Sequence, residues 1–181
     1  GASVNRSVFP QNQGGPFMHV IAAKAIAFGE ALNPGFQQYA SKIVENSRKL
    51  AETLGKSGLR IVSGGTDTHL FLVDVTPLGL TGRKAEEILS EVNIYVNRNA
   101  IPYDEKPPRV TSGMRIGTAA VTSRGMDLEN MTQLGNLIVS ALTNHEIEGT
   151  IQETKKAVMD LVGNFPVPGI NCENGFPFSN N

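Results

Sequence analysis

An apolar run over residues 69–75, bounded on both sides by turn-forming residues, most constrains the fold of this chain. Such a run predicts a buried β-strand. Residues 59–62 predict a shorter strand before it, separated from it by a turn at 63–67. Thr81 then predicts the start of a helix that reaches about residue 91, because a threonine hydroxyl satisfies free backbone N–H groups. The alternation of strands and helices predicts an α/β domain.

The pattern further along the chain extends this domain. It predicts an extended segment that begins at 93–96, a proline-rich loop at 100–109 and another extended segment at 110–116. A turn at 122–125 leads to helices at about 127–144 and 148–162. Because some strands follow one another without an intervening helix, we expect a mixed or antiparallel sheet.

The N-terminal region predicts a loop and two helices. Prolines and glycines predict an irregular loop over residues 1–16. Residues 17–32 predict an alanine-rich helix that is apolar or small on both faces, so we expect it to pack against another surface. Asn33 and Pro34 predict the start of the next helix, and Gly58 predicts its end.

Composition excludes several classes of function. The net charge of −1 provides no basic field for nucleic acid, and 6% aromatic residues without tryptophan argue against a base-stacking surface. No apolar run is long enough to span a bilayer, and the first residues lack the order of a secretory signal. The lone Cys172 cannot form a disulfide within the chain, which favours a reducing, cytoplasmic compartment. We interpret Cys172 as incidental.

Arg115 is the sharpest candidate for a binding residue. It lies in an apolar extended stretch between Gly113 and Gly117, where a charged side chain needs a partner or an exit to solvent. A guanidinium fits a carboxylate through two parallel hydrogen bonds, and the glycines leave room for a small ligand. The alternative is an internal salt bridge, to Asp74 or Asp104. The residues alone leave both interpretations open.

Other candidate sites are weaker. Gly14 and Gly15 precede a predicted helix and form either a phosphate-binding loop or, as the spacing alone favours, a tight turn. The segment 97–99 either binds ligand heteroatoms or, by default, makes a turn. His69 is interpreted as a structural hydrogen-bonding residue, and His19 as a core residue or, less strongly, as a lining of the glycine loop. The histidines show no metal-ligand spacing, so we predict no metal site.

Several longer blocks resemble the serine hydroxymethyltransferase family, in family order, over residues from about 2 to 168. The blocks are 3–10, 13–16, 18–22, 62–67, 80–82, 96–99 and 111–118. The resemblance implies the small α/β domain of a fold-type I pyridoxal-phosphate enzyme, with a loop and helical arm from its large domain. It also implies a homodimer that moves a one-carbon unit between serine and tetrahydrofolate and yields glycine.

The resemblance implies roles for individual residues. Arg115 corresponds to the arginine that binds the α-carboxylate of the amino acid, and Gly15, with Gly14, to the loop that meets the cofactor phosphate across the dimer interface. The expected folate contacts are Asn99, Pro107, Pro108 and Arg109. Arg109 departs from the phenylalanine often found there, and Gln11 and Asn12 depart from the usual glycine before the glycine pair.

In this family the lysine that bonds the cofactor lies in a threonine-rich motif ending in His-Lys, upstream of these blocks. No lysine here, for example Lys24, Lys84 or Lys106, lies in such a motif. We therefore expect this chain alone to be inactive, with no catalytic residue of its own.

The resemblance divides the chain into a large-domain remnant at 1–34, a connecting helix and small domain at 35–168, and an atypical tail at 169–181. Two alternatives remain open. The intact protein could be a related pyridoxal-phosphate aldolase, or the chain could be a non-catalytic dimerisation domain.

Overall fold

The computed structural model describes residues 1–168, and the predicted tail at 169–181, with Cys172, lies outside the described residues. The chain divides into two compact units, Gly1–Gln37 and Gln38–Asn181. Each unit is considered by itself.

The first unit is helical. It contains α1 (Ala2–Arg6), a π-helical segment (Ser7–Asn12), α2 (Met18–Ala31) and the first turn of α3 (Pro34–Lys56). The irregular loop predicted over residues 1–16 is therefore wrong as far as Asn12. Residues 2–9 contain no glycine or proline, and within the π-helical segment only Phe9, which precedes Pro10, leaves helical backbone angles (φ −133°, ψ 129°).

The predicted helix at 17–32 is confirmed as α2, but its expected packing is not seen. Every residue of α2 is exposed, including Ile26 at 65% and Phe28 at 69%. The helix is apolar without a buried face.

The second unit contains a four-stranded sheet. Its strands are β1 (Arg60–Ile61), β2 (Leu70–Asp74), β3 (Asn97–Asn99) and β4 (Gly113–Gly117), in the order β1-β2-β4-β3. All neighbouring strands are antiparallel, and the expected sheet was mixed or antiparallel. The small α/β domain expected from the sequence is thereby confirmed.

The strand predicted to begin at 93–96 is wrong. Asn93 takes a left-handed conformation (φ 62°), and the N–H of Ile94 donates to the carbonyl of Leu89 at 2.9 Å. These residues terminate the preceding helix in the manner of a Schellman motif, so their N–H groups do not enter the sheet. The strand begins only at Asn97.

The helices after the first strands are α4 (Gly82–Glu91), α5 (Ala119–Ser123), α6 (Leu128–Asn144) and α7 (Thr150–Gly163). The predicted cap of α4 is confirmed, since Oγ1 of Thr81 accepts from the N–H of Lys84 at 3.1 Å. The turn predicted at 122–125 is partly wrong, because α5 occupies its first half and the chain turns at Gly125 (φ 94°).

The core lies on one face of the sheet. Phe71 and Val73 of β2 and Met114 and Ile116 of β4 are buried there. The helices contribute Leu50, Leu54, Ile88, Leu89, Met131, Ile138 and Leu142. Because side chains alternate along a strand, the residues between these core positions face the opposite side.

Candidate carboxylate site on the sheet

Arg115 occupies the centre of the open face of the sheet. It lies between the buried Met114 and Ile116 on β4, and its own side chain is exposed. In the register of the sheet it is opposite Leu72 on β2 and Asn97 on β3. Cross-strand neighbours share one face, so these two side chains flank the guanidinium.

The predicted internal partners of Arg115 are bound elsewhere. Asp74 pairs with Arg60 at 2.8 Å and accepts from the hydroxyl of Thr76 at 2.7 Å. Burial favours a higher pKa for Asp74, but the bonds from Thr76 and Arg60 outweigh it and lower that pKa. Within residues 1–168, the guanidinium of Arg115 makes no hydrogen bond or ion pair, and only its backbone is paired, in the sheet. Neither salt bridge foreseen as the alternative is formed.

The two glycines beside Arg115 differ in what covers them. Gly113 and Gly117 face the same side as Arg115, because they are two residues away on the strand. A Cβ atom on Gly117 would meet nothing nearer than the carbonyl of His69, at 3.6 Å. A Cβ atom on Gly113 would collide with Cγ2 of Ile101 at 2.5 Å. The open face is therefore free toward Gly117 and walled by the following loop toward Gly113.

The segment 97–99 forms strand β3, so its default interpretation as a turn is wrong. Arg98 holds the strand against α4, with its N–H 3.2 Å and its guanidinium 2.7 Å from the carboxylate of Glu86. Asn97 and Asn99 alternate with Arg98, so they share the face of Arg115. Asn99 lies opposite Gly113, at the edge where the loop begins.

The loop between β3 and β4 is organised around Asp104. Its carboxylate accepts hydrogen bonds from the N–H groups of Ile101 (3.2 Å), Lys106 (2.9 Å) and Ser112 (2.8 Å), and from the hydroxyl of Ser112 (2.7 Å). The carbonyl of Ser112 in turn accepts from the N–H of Val75 at 3.1 Å. Asp104 thereby ties the loop to the start of β4 and, through Ser112, to the end of β2.

The Asp104 carboxylate makes the stability of the fold depend on pH in the acid range. Its desolvation favours a higher pKa, but the bonds from Lys106, Ser112 and Ile101 outweigh it and lower the pKa from 3.8 to about 2. The ionised carboxylate therefore stabilises the fold fully above about pH 4, and this stabilisation disappears as the pH falls toward 2.

We expect Asp104→Asn to have a lower melting temperature than the parent at pH 7, because an amide presents one acceptor oxygen to four donors. The difference should shrink as the pH is lowered from 4 to 2. Melting curves of both proteins across this range test it. A difference that stays constant down to pH 2 would contradict the role of the carboxylate.

The remaining predicted folate residues lie at the far end of the same loop. Pro107, Pro108 and Arg109 are exposed, and the carbonyl of Pro107 accepts from the N–H of Val110 at 2.8 Å. The carbonyl of Val110 accepts a hydrogen bond from the N–H of Arg83 at 2.9 Å, which fixes this turn to the start of α4. The structure thus brings Asn99 onto the face of Arg115 and leaves the proline turn at the rim of its loop.

Gly14 and Gly15 belong to the first unit. A Cβ atom on either would meet nothing within 4 Å, so their backbone is open to a ligand. They precede α2, whose N-cap residue, Phe17, makes no side-chain capping hydrogen bond. The first N–H groups of such a helix have no partner inside the helix and favour an anion.

Two of the histidines, His19 and His69, were interpreted from the sequence, and the structure contradicts only the interpretation of His19 as a core residue. His19 is exposed, with its ring 5.6 Å from that of Phe17, so its interpretation as a core residue is wrong. The hydrogen bond at His69 is made by its backbone carbonyl, which accepts from the N–H of Thr118 at 3.0 Å. In the described part of the chain, no group of three or more acidic, histidine or cysteine side chains is placed to hold a metal.

Two features of the site were missed in the sequence. The Asp104 cluster was missed because its donors are scattered over Ile101 to Ser112 without a periodic signal. Tyr103 was missed because nothing in the sequence marks a left-handed tyrosine (φ 60°). The available signal was an aspartate followed two residues later by the N–H of Lys106, a common turn arrangement.

Comparison with known protein families is consistent with this architecture. The chain matches the family model described as serine hydroxymethyltransferase over residues 1–138. The match covers the four described strands and the loop that Asp104 organises. It also covers Arg115, and it ends within α6. No helix among residues 1–168 is both long and apolar enough to cross a membrane.

Proposed function

Because the chain belongs to the serine hydroxymethyltransferase family, we propose that Arg115 binds the α-carboxylate of serine and glycine. The family implies a pyridoxal-phosphate-dependent transferase of one-carbon metabolism in the intact protein. The reaction that we propose moves the hydroxymethyl carbon of serine to tetrahydrofolate and leaves glycine. The carrying observation is an arginine on an open sheet face whose guanidinium has no partner within residues 1–168, while the carboxylates of Asp74 and Asp104 are bound elsewhere.

The proposed work of Arg115 is to bind and orient the amino acid. Its guanidinium offers parallel N–H donors that match both oxygens of a carboxylate. The strand carries it between Leu72 and Asn97, and the open side at Gly117 leaves space for a small side chain. A substrate held at its carboxylate in this way keeps a fixed orientation, which favours reaction at the α-carbon.

The glycine loop fits the phosphate of the cofactor. The open backbone at Gly14 and Gly15 and the uncapped start of α2 would hold an anion through N–H groups. Pyridoxal phosphate, when bound, supplies the electron sink for cleavage at the α-carbon. The residues of the chain contribute phosphate binding at the loop and carboxylate binding at Arg115.

The loop after β3 is the proposed wall for tetrahydrofolate. Asn99 shares the face of Arg115, and Ile101 closes that face over Gly113. Pro107, Pro108 and Arg109 present an exposed, rigid turn at the rim of the same loop. The arrangement supports a co-substrate that lies against the loop while the amino acid lies over Gly117.

We expect these 181 residues alone to be inactive, because no lysine among them lies in the family's cofactor-bonding motif. The chain should release no glycine when mixed with pyridoxal phosphate, serine and tetrahydrofolate. The matched control is the same chain extended upstream through that motif, which should release glycine. Turnover by the unextended chain would contradict this expectation.

Tetrahydrofolate also decides between this function and its two alternatives. A related aldolase would cleave hydroxyamino acids without requiring folate, and a dimerisation domain would show no turnover in the extended protein. Glycine release from serine that depends on tetrahydrofolate supports the transferase. The proposed enzyme is a cytoplasmic homodimer, which sedimentation of the extended protein would test.

A further inference from the structure

Tyr103 combines two features that are unusual for a large aromatic residue. Its side chain is fully exposed, at 102% of the reference area. Its backbone lies in the left-handed region (φ 60°), which glycine and asparagine adopt far more readily than tyrosine. Within residues 1–168 its ring makes no aromatic contact and its hydroxyl no hydrogen bond. Packing inside the described chain therefore does not account for a tyrosine here.

The neighbouring residue enforces this conformation. Asp104 collects four hydrogen bonds from Ile101, Lys106 and Ser112 immediately after Tyr103. The N–H of Asp104 also donates to the carbonyl of Ile101 at 3.1 Å, which closes a tight turn around Tyr103. These bonds fix the backbone of the turn and leave the phenol ring fully exposed. Strained residues held in this way are concentrated at functional sites.

The turn belongs to the wall of the Arg115 face. Ile101, two residues before Tyr103, lies over Gly113 on that face. Gly113 precedes Arg115 by two residues, about 7 Å along a strand. Asn99, opposite Gly113, is the last residue of β3 before the loop. Tyr103 is therefore carried by the loop that walls the Arg115 face at Gly113.

We propose that Tyr103 is a specificity-determining residue for the co-substrate, whose aromatic rings it contacts by stacking with its phenol ring. The inference rests on the proposed function and adds to it a residue outside the family-matched folate contacts. A flat, fully exposed ring offers its face to an aromatic ligand for stacking. Serine and glycine carry no ring, so loss of this contact weakens the binding of tetrahydrofolate and not that of the amino acid.

The chain supplies a matched control in Tyr95. Its side chain is also exposed, at 78%, but its backbone has no positive φ and it lies before β3, outside the loop between β3 and β4. Tyr95→Asn removes an exposed ring of the same kind without touching the proposed wall. Tyr103→Phe keeps the ring at the site and removes only the hydroxyl.

The test is steady-state kinetics and thermal melting of the intact holoenzyme. Tyr103→Asn should raise KM for tetrahydrofolate about 3- to 10-fold, the range of one aromatic contact, and leave KM for serine within about 2-fold. Its melting temperature should be equal or higher, because asparagine tolerates the left-handed backbone. Tyr103→Phe, which keeps the ring, should have the parental KM for tetrahydrofolate. Tyr95→Asn should leave both KM values unchanged.

Two results would overturn the inference. One is an unchanged KM for tetrahydrofolate in Tyr103→Asn. The other is a rise in both KM values with a fall in melting temperature, which indicates a structural role. Arg115→Ala, assayed in parallel, separates these failures from failure of the proposed function, because it tests serine binding independently of Tyr103.

Discussion

Replacing Arg115 with alanine is expected to lower kcat/KM for serine at least about 100-fold in the intact enzyme. The estimate follows from losing a charge-assisted, two-bond contact of about 3 kcal/mol. The melting temperature should change little, because the exposed Arg115 has no partner among residues 1–168. Steady-state kinetics with serine as the varied substrate, together with melting curves, measure both effects.

Two further variants sharpen the result. Arg115→Lys keeps the charge but loses the planar fork, so its kcat/KM should lie between those of the parent and Arg115→Ala. Arg98→Ala is the matched control, since Arg98 is on the neighbouring strand but pairs with Glu86 on the other side of the sheet. Equal losses in Arg98→Ala and Arg115→Ala would show that the effect belongs to the sheet and not to carboxylate binding.

Gly82→Ala is expected to destabilise the second unit by about 3 kcal/mol, at the upper end for overpacking. A Cβ atom at this position would overlap Oγ1 of Thr111 and the carbonyl oxygen of Gly113. The Gly113 carbonyl is backbone of a paired strand and cannot rotate away. The N–H of Gly82 also donates to the carbonyl of Thr111 at 3.0 Å, which holds the two segments together.

Thermal or urea unfolding measures this loss, and a melting temperature lower by roughly 6–12 °C is expected for a chain of this length. Gly55→Ala is the matched control. Its Cβ atom would meet only the flexible side chain of Ile61, at 3.6 Å, and alanine has the higher helix propensity. A Gly82→Ala protein as stable as Gly55→Ala would mean that the start of α4 and the segment before β4 are not in close contact.

Local signals in the sequence predicted the ends of those helices whose boundaries are set by a particular residue type. Thr81 caps α4, Pro34 begins α3 and Gly58 (φ 90°) follows its end, all as predicted. Prediction failed where backbone bonds at a helix end decide the conformation. Residues 93–96 are apolar enough for a strand, but the N–H groups of Asn93 and Ile94 complete the end of α4 instead.

The candidate site shows a second limit, set by bonds between residues that are distant in the sequence. Motifs identified Arg115 as a candidate. Its guanidinium forms no salt bridge to Asp74 or Asp104 because Arg60 binds Asp74 and Ser112 binds Asp104. Both bonds join residues that only folding brings together, so the salt-bridge alternative stayed open until the register was known. Whether Arg115 binds a substrate carboxylate remains a prediction for the experiments above.

The order of the strands has a kinetic consequence. The central pair of the sheet joins β2 to β4, so closing it must bring together segments separated by α4, β3 and the whole Asp104 loop. Such non-local pairing loses chain entropy before it gains contacts, and it slows folding. The surface that carries Arg115 therefore cannot exist in any early state with only neighbouring elements joined, and maturation of the sheet is the step that creates it.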